Sequence, residues 1–262
     1  MQNRAKSNTR LGAIRAIIAL MLREMTTTYG RSPGGYIWAV LVPVAAIAFL
    51  SFAFSAFFRT PPIGNSFAMF YATGIVPFLM FNDLQNKVSQ SLMYSKQLLV
   101  YPKITFVDAL FARFLLNFMT QLLIAYIIFG GTMLLFEGGM TIEILTILHG
   151  LLLAALLGLG VGTLNSFIYL RFPVWQQIWS VLSRPLFLIS CTMIMFDAIP
   201  QPFRDWLWWN PLVHVTGLVR AGFYDGYDAY YISSLYVLLV LLTCFALGLL
   251  VLRRHHRNLF ER

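Results

Sequence analysis

Charge is scarce in this sequence. Asp, Glu, Lys and Arg make up 11% of its 262 residues, where a soluble domain carries about 25%. With 59% hydrophobic residues beside it, that scarcity excludes an ordinary water-soluble globule. Cysteine is nearly absent, and Cys191 and Cys244 both sit inside apolar runs; this excludes a disulfide framework and reads as two small core hydrophobes. The four histidines show no Cys/His ligand spacing, so no metal site is expected: His255 and His256 are in a basic tail, His149 and His214 in apolar surroundings. No carboxylate pair recurs at helical spacing within an apolar run, and no catalytic residue is assigned. A phosphate-binding loop is missing too. The glycines of "GLGVGTLN" (158–165) lack the lysine that reaches the phosphates and lie in an apolar helix. If this chain takes part in ATP-driven work, ATP and Mg²⁺ are bound by a partner, and no cofactor is expected here.

What is present is a series of uncharged runs long enough to cross hydrocarbon, about 20 residues at 1.5 Å each. They predict an all-α membrane protein, a single transmembrane domain over 1–262, with six spans at about 37–58, 66–85, 105–136, 143–170, 175–196 and 231–252. Pro77 is expected to kink the second, and Arg184-Pro185 interrupts the fifth. Six spans put both termini on one side. Sixteen of the nineteen Lys and Arg then fall on that side, leaving Arg59, Arg204 and Arg220 on the other; by the positive-inside rule the termini are cytoplasmic. Before the first span, Leu11, Ile14, Ile18, Met21 and Met25 recur at steps of three and four, with Arg15 and Arg23 on another face. An amphipathic interface helix over 9–30 is expected rather than a cleaved signal, whose apolar core would not contain Arg15. Gly158 and Gly162 form a GxxxG pattern that fits close helix packing within the chain or between two copies. No repeat of 20–50 residues and no inverted repeat is visible.

If the chain does ATP-driven work, the partner that hydrolyses ATP needs docking surfaces, and the cytoplasmic side offers three. One is the N-terminal helix running into "REMTTTYGRSPGGYIW", with Arg23, Glu24, Tyr29 and Arg31. The second is the loop 86–104, where Tyr94, Leu98, Leu99, Val100 and Tyr101 around Lys96 are unusually apolar for an exposed turn; Pro102 ends the piece and Lys103 flanks the third span. The third is the tight "YLRFPVWQQ", with Arg171 and Phe172. A solvated positive-inside loop is the plain alternative for each.

Three stretches, "LMLREMTTTYGRSPGGYIWAVLVP", "YSKQLLVYPKITFVDALFARFLLN" and "WWNPLVHVTGLVRAGFYDG", occur in this order and spacing. Together they resemble the ABC-2 type membrane subunits of transporters that export polysaccharides. The nearest branch is the Gram-negative capsule-export permeases, relatives of the O-antigen and teichoic-acid exporters. The resemblance covers essentially the whole chain. It implies a multi-pass permease of the bacterial inner membrane that works as a homodimer with two ATP-binding cassette subunits. The loop 86–104 would be the coupling and gate region, and a channel between permeases would carry lipid-linked glycan. A periplasmic co-polymerase and an outer-membrane export protein are further implied partners. Nucleic acid is not.

On that reading Phe52, Phe58, Tyr71, Phe78 and Phe81 are candidates for the channel, since aromatic faces hold sugar rings loosely. Lys87 and Arg113 at the cytoplasmic mouth, and Arg184 in the fifth span, are candidate attractors for an acidic polymer. The segment 197–230 has only fourteen uncharged residues in a row, 206–219, too few to cross. It is expected to be a re-entrant pair of short helices broken at Asn210-Pro211. Trp206, Trp208, Trp209, Asn210, His214 and Arg220 would then form a periplasmic gate. Three alternatives stay open: export of O-antigen or another glycolipid, an ATP-independent channel or ion-coupled transporter using Asp83 or Asp108, and a glycan-modifying enzyme.

Overall fold

The computed structural model describes residues 15, 17–25, 35–95, 105–136 and 142–260, and all regular structure among them is helical. Of the expected interface helix over 9–30, residues 17–24 are described as helix and form α1. There follow α2 (Gly35–Phe57), α3 (Phe67–Ser89), α4 (Ser91–Tyr94), α5 (Phe106–Phe136), α6 (Ile144–Arg171) and α7 (Val174–Ile189). A 3₁₀ turn (Phe196–Ala198), α8 (Phe203–Trp208), α9 (Pro211–Phe223) and α10 (Ser234–Phe260) complete the chain. Five helices among the described residues are long and apolar enough to cross a membrane, within α2, α3, α5, α6 and α10.

α3 is the hub. It packs against α2, α5, α6 and α9, and Met69, Phe70, Ala72, Met80, Leu84 and Val88 along it are fully buried. Its N-terminus is capped by Ser66, whose Oγ accepts from the Met69 N–H at 3.4 Å. α6 lies against α3 through the GxxxG pair. A Cβ on Gly158 would sit 2.9 Å from the Phe81 carbonyl oxygen, and one on Gly162 would sit 2.8 Å from the Val88 Cβ. The pattern therefore serves packing within the chain. On another side of α6, Gly160 meets the Leu241 carbonyl and Leu164 meets Gly248 of α10.

These contacts set the directions of the helices. Positions 81–88 rise with 158–162, and 160–164 rise with 241–248, so α3, α6 and α10 run parallel. α5 runs against them, since Gln121 donates to Asp83 at 3.0 Å and Thr132 touches Met69. Two successive long helices, α6 and α10, thus point the same way. The chain between Arg171 and Ser234 must return to the end where α6 began, and it does: the Glu143 N–H donates to the Gly222 carbonyl at 2.9 Å.

The return departs from the expected fifth span. Over 175–196 the chain forms α7, only 16 residues, about 24 Å at 1.5 Å per residue. Side chains end it by taking the carbonyls that another turn would use. Ser190 Oγ donates to Leu186 O at 2.6 Å, Thr192 Oγ1 to Phe187 O at 2.9 Å and Asn210 Nδ2 to Ile189 O at 3.0 Å. Cys191, at φ 55°, then turns the backbone through the left-handed region. α9 completes the return. Its Gly222 lies on Ile147 and its Val219 and Val215 on Gly150, so the Asn210-Pro211 corner is the innermost point of α9.

Candidate functional site

Three places concentrate polar side chains in this apolar bundle. At the end where α1, the C-terminal turns of α3, α4 and the start of α5 converge lies a pocket of about 440 Å³, lined by Leu20, Arg23, Glu24, Lys87, Gln90, Tyr94, Ser95, Ala109, Ala112 and Arg113. Asp108 builds the start of α5, accepting from the Thr105 N–H at 2.9 Å and from its Oγ1 at 2.7 Å. Arg113 sits one turn further, and its Nε donates to Glu24 Oε1 at 2.6 Å. Its guanidinium carbon lies 4.6 Å from the centroid of the Tyr94 ring. Three cations and one carboxylate meet here, joining residues expected separately for coupling (Arg23, Glu24, Tyr94) and for the channel mouth (Lys87, Arg113). Tyr29, Arg31, Lys96, Leu98, Tyr101, Pro102 and Lys103 lie outside the described residues. Arg171 and Phe172 are exposed at the α6–α7 turn, the guanidinium 5.5 Å from the ring centroid.

The second place is α7. None of its residues is buried. Two indoles hold it to the bundle: Trp175 Nε1 donates to Asn165 Oδ1 at 3.1 Å and Trp179 Nε1 to Gln85 Oε1 at 2.9 Å. Gln176, Ser180, Ser183 and Arg184 recur at helical spacing, with Gln177 beside them. Gln177, Ser180 and Arg184 are exposed, Gln176 and Ser183 half-buried. Exposed Ile178, Leu182 and Ile189 form a separate apolar face, with Val181 and Leu188 between it and the polar stripe. Of this stripe the sequence reading singled out Arg184 alone. The signal is the three-and-four spacing of polar residues in "VWQQIWSVLSR", which the mean hydropathy of the span does not mark.

The third place surrounds α8 and α9, and it divides the expected gate. Trp206 and Trp209 are 73% and 67% exposed. Trp208 packs inward, its Nε1 donating to Tyr231 O at 3.0 Å and its ring stacking on Tyr236. Asn210 caps α9 by accepting from the Leu212 N–H at 3.1 Å while its amide reaches Ser190 Oγ at 3.1 Å. His214 is buried and its tautomer is fixed: Nδ1 accepts from the Ser233 N–H at 3.2 Å, so Nε2 carries the proton donated to Trp208 O at 2.8 Å. Arg220 is fully buried. It donates from Nη2 to Thr192 O at 2.9 Å and from Nη1 to Ile194 O at 3.2 Å, with Phe70 under its guanidinium at 4.5 Å. Asn210, His214 and Arg220 thus hold the return segment together, and the two outward tryptophans are what a gate can present.

The expected channel aromatics divide the same way. Phe52 and Phe58 face outward. Tyr71, Phe78 and Phe81 are buried within the bundle because α3 packs against four other helices; Phe78 packs edge-on against Phe187 with centroids 5.1 Å apart. Arg184 is exposed on α7 and Lys87 is half-buried at the pocket rim.

An apolar bundle with a cation-rich pocket at one end and an outward polar helix face is the build of a membrane transport subunit. The chain belongs to the ABC-2 type transporter family, whose description matches residues 15–224. It is 29% identical over 238 residues to a polysialic acid transport protein KpsM of Escherichia coli, covering 90% of this chain and 91% of the relative. It is 25% identical over 245 residues to the capsule polysaccharide export inner-membrane protein CtrC of Neisseria meningitidis, covering 93% and 92%. Against the capsule polysaccharide export inner-membrane protein BexB of Haemophilus influenzae the identity is 25% over 246 residues, again 93% and 92%. Like these relatives, it is a multi-pass inner-membrane protein.

Proposed function

We propose that this chain is the permease subunit of an ATP-driven exporter that moves lipid-linked polysaccharide, of the acidic capsular kind, across the inner membrane. It works as a homodimer with two ATP-binding cassette subunits and hands its cargo to a periplasmic co-polymerase and an outer-membrane export protein. The polar face of α7 carries the reading. Gln177, Ser180 and Arg184 are exposed on a helix within an apolar bundle, and polar side chains at such depth face water or protein rather than lipid. Two copies apposed through α2 and α7 would turn that face onto a shared hydrated path. Serine and glutamine along it would exchange hydrogen bonds with a sliding glycan. Phe52 on α2 and Phe58 just past its end would flank it.

The parallel directions of α6 and α10 support six crossings, the sixth passage being α7 completed by the return segment. The innermost position of Asn210-Pro211 supports a re-entrant α8–α9 pair. With the basic end cytoplasmic, the pocket at α1, α4 and α5 faces the ATPase, and Tyr94, Glu24 and Arg113 join α4 to α1 and α5. A docking force on α4 would reach both. Ion-coupled transport finds less support, since Asp108 is spent as a helix cap and Asp83 accepts from Gln121.

The test is co-expression with a P-loop ATPase subunit. The two chains are expected to co-purify and to hydrolyse ATP faster when lipid-linked glycan is added. Tyr94→Ala should keep assembly and basal hydrolysis while lowering glycan stimulation about tenfold. Transport by the permease alone, without ATP, would reject the proposal.

A further inference from the structure

The pocket where α1, α3, α4 and α5 meet has an occupant to find. Arg113 is 9% exposed, and its three kinds of guanidinium nitrogen are not equally served. Nε is taken by Glu24 at 2.6 Å, while Nη1 is buried without a hydrogen-bond partner. A buried donor left unpaired calls for a partner such as a water, an ion or a ligand, because its desolvation is otherwise uncompensated, and this one borders an open pocket lined by further cations. Tyr94 lies under the guanidinium at 4.6 Å and holds its plane, so the free edge cannot rotate away to find a partner elsewhere. Lys87 and Arg23 line the same space, and the one carboxylate among the described lining residues, Glu24, is paired with Arg113. Ala109 and Ala112 floor the pocket with small side chains and leave about 440 Å³ open.

The surroundings specify what kind of anion fits. Lys87 stands in the last turn of α3 and Arg113 in the second turn of α5, so the pocket sits where two long apolar helices end. α1 borders it with Ile18, Leu22 and Met25 exposed beside Arg15 and Arg23, the composition of a helix lying at a membrane surface. An anion carried on an acyl chain would reach such a pocket from the membrane surface along the apolar side of α1. A guanidinium edge, an ammonium and neutral donors from Gln90 and Ser95 match the oxygens of a phosphate group better than a lone carboxylate.

We infer that this pocket binds the phosphate of an anionic lipid headgroup from the adjacent leaflet. Two sources share that chemistry, an anionic phospholipid of the membrane and a phosphate that joins the cargo glycan to its lipid. Binding at this site does not depend on where the export path runs, so its failure and that of the export reading are separable.

The experiment is native mass spectrometry of the full chain titrated with dioctanoyl phosphatidylglycerol, with dioctanoyl phosphatidylcholine as the zwitterionic control. Phosphatidylglycerol is expected to bind at least tenfold more tightly. Arg113→Gln should weaken it about 10- to 100-fold and Arg113→Lys less, since an ammonium keeps the charge but not the forked edge. Lys87→Gln, at the half-buried rim, provides a second variant that leaves the Glu24–Arg113 pair intact and should weaken binding several-fold. Competition then identifies the source. Displacement by an oligosaccharide joined through phosphate to a lipid assigns the site to cargo, and persistence of phosphatidylglycerol assigns it to the membrane; either outcome keeps the site. Equal retention of the two headgroups would overturn the inference, as would Lys87→Gln and Arg113→Lys variants that bind phosphatidylglycerol as tightly as the unmodified chain.

Discussion

Replacing Arg220 by methionine is expected to destabilise the folded protein by about 2–4 kcal/mol, read as a fall in Tm of roughly 5 °C or more for the purified chain. The substitution keeps much of the apolar volume but removes two charge-assisted hydrogen bonds, to Thr192 O and Ile194 O. These are worth about 1.5–3 kcal/mol each, and the cation over Phe70 adds about 1–2 kcal/mol. Release of a buried cation offsets part of that loss, which is why the sum is not expected in full. Arg220→Lys should recover little, because one ammonium does not serve two carbonyls as a planar fork does. Gly74→Ala is expected to act in the same direction. A Cβ there collides with the Thr192 carbonyl and lies 2.9 Å from Arg220 Nη2, displacing the strand of chain that the guanidinium holds. A residue acting only as a gate would lower export and leave Tm unchanged.

The opposite pattern is expected on α7. Gln177→Leu combined with Ser180→Leu should reduce glycan export at least tenfold while Tm, dimer formation and ATPase binding stay as they were. The two side chains are exposed, and the Ser180 hydroxyl bonds only to the carbonyl of Gln177 one turn back at 2.7 Å. Their loss thus removes little from the fold, since surface substitutions away from such partners change stability by about 0.5 kcal/mol or less. The change instead makes a hydrated face apolar. Arg184→Gln should be milder than Arg184→Leu, because the amide preserves polarity without charge. The assay is export in reconstituted vesicles at fixed ATP. Ile178→Leu, on the apolar face, serves as the neutral control.

Much of the architecture was readable because membrane insertion imposes a coarse rule. A span needs an uncharged run, and α2, α3, α5, α6 and α10 stand out in the sequence for that reason. The GxxxG of Gly158 and Gly162 was also visible, but two partners satisfied it equally until the Phe81 carbonyl and the Val88 side chain were found against it. α7 was misjudged in length because its end is written in hydrogen bonds from Ser190, Thr192 and the distant Asn210, none of which alters hydropathy. Burial was harder still. Tyr71, Phe78 and Phe81 look no different in composition from Phe52 and Phe58, and only the enclosure of α3 by four helices separates them. Arg220 is expected at the mouth because it belongs to a segment too short to cross. Its two carbonyl partners lie 28 and 26 positions upstream, beyond any local pattern. The convergence of Glu24 with Arg113, 89 positions apart, was out of reach for the same reason, although both residues were picked individually.

The central claim, that the polar face of α7 lines a hydrated path, is tested most directly by thiol labelling in the assembled transporter. Single cysteines would be placed at Gln177, Ser180 and Arg184, and at Ile178 and Leu182, in a chain carrying Cys191→Ala and Cys244→Ala. A membrane-impermeant, positively charged thiol reagent is predicted to modify the first three at least tenfold faster than the other two. Equal, slow modification at all five positions would mean that α7 meets no water along that face, and the account would be contradicted.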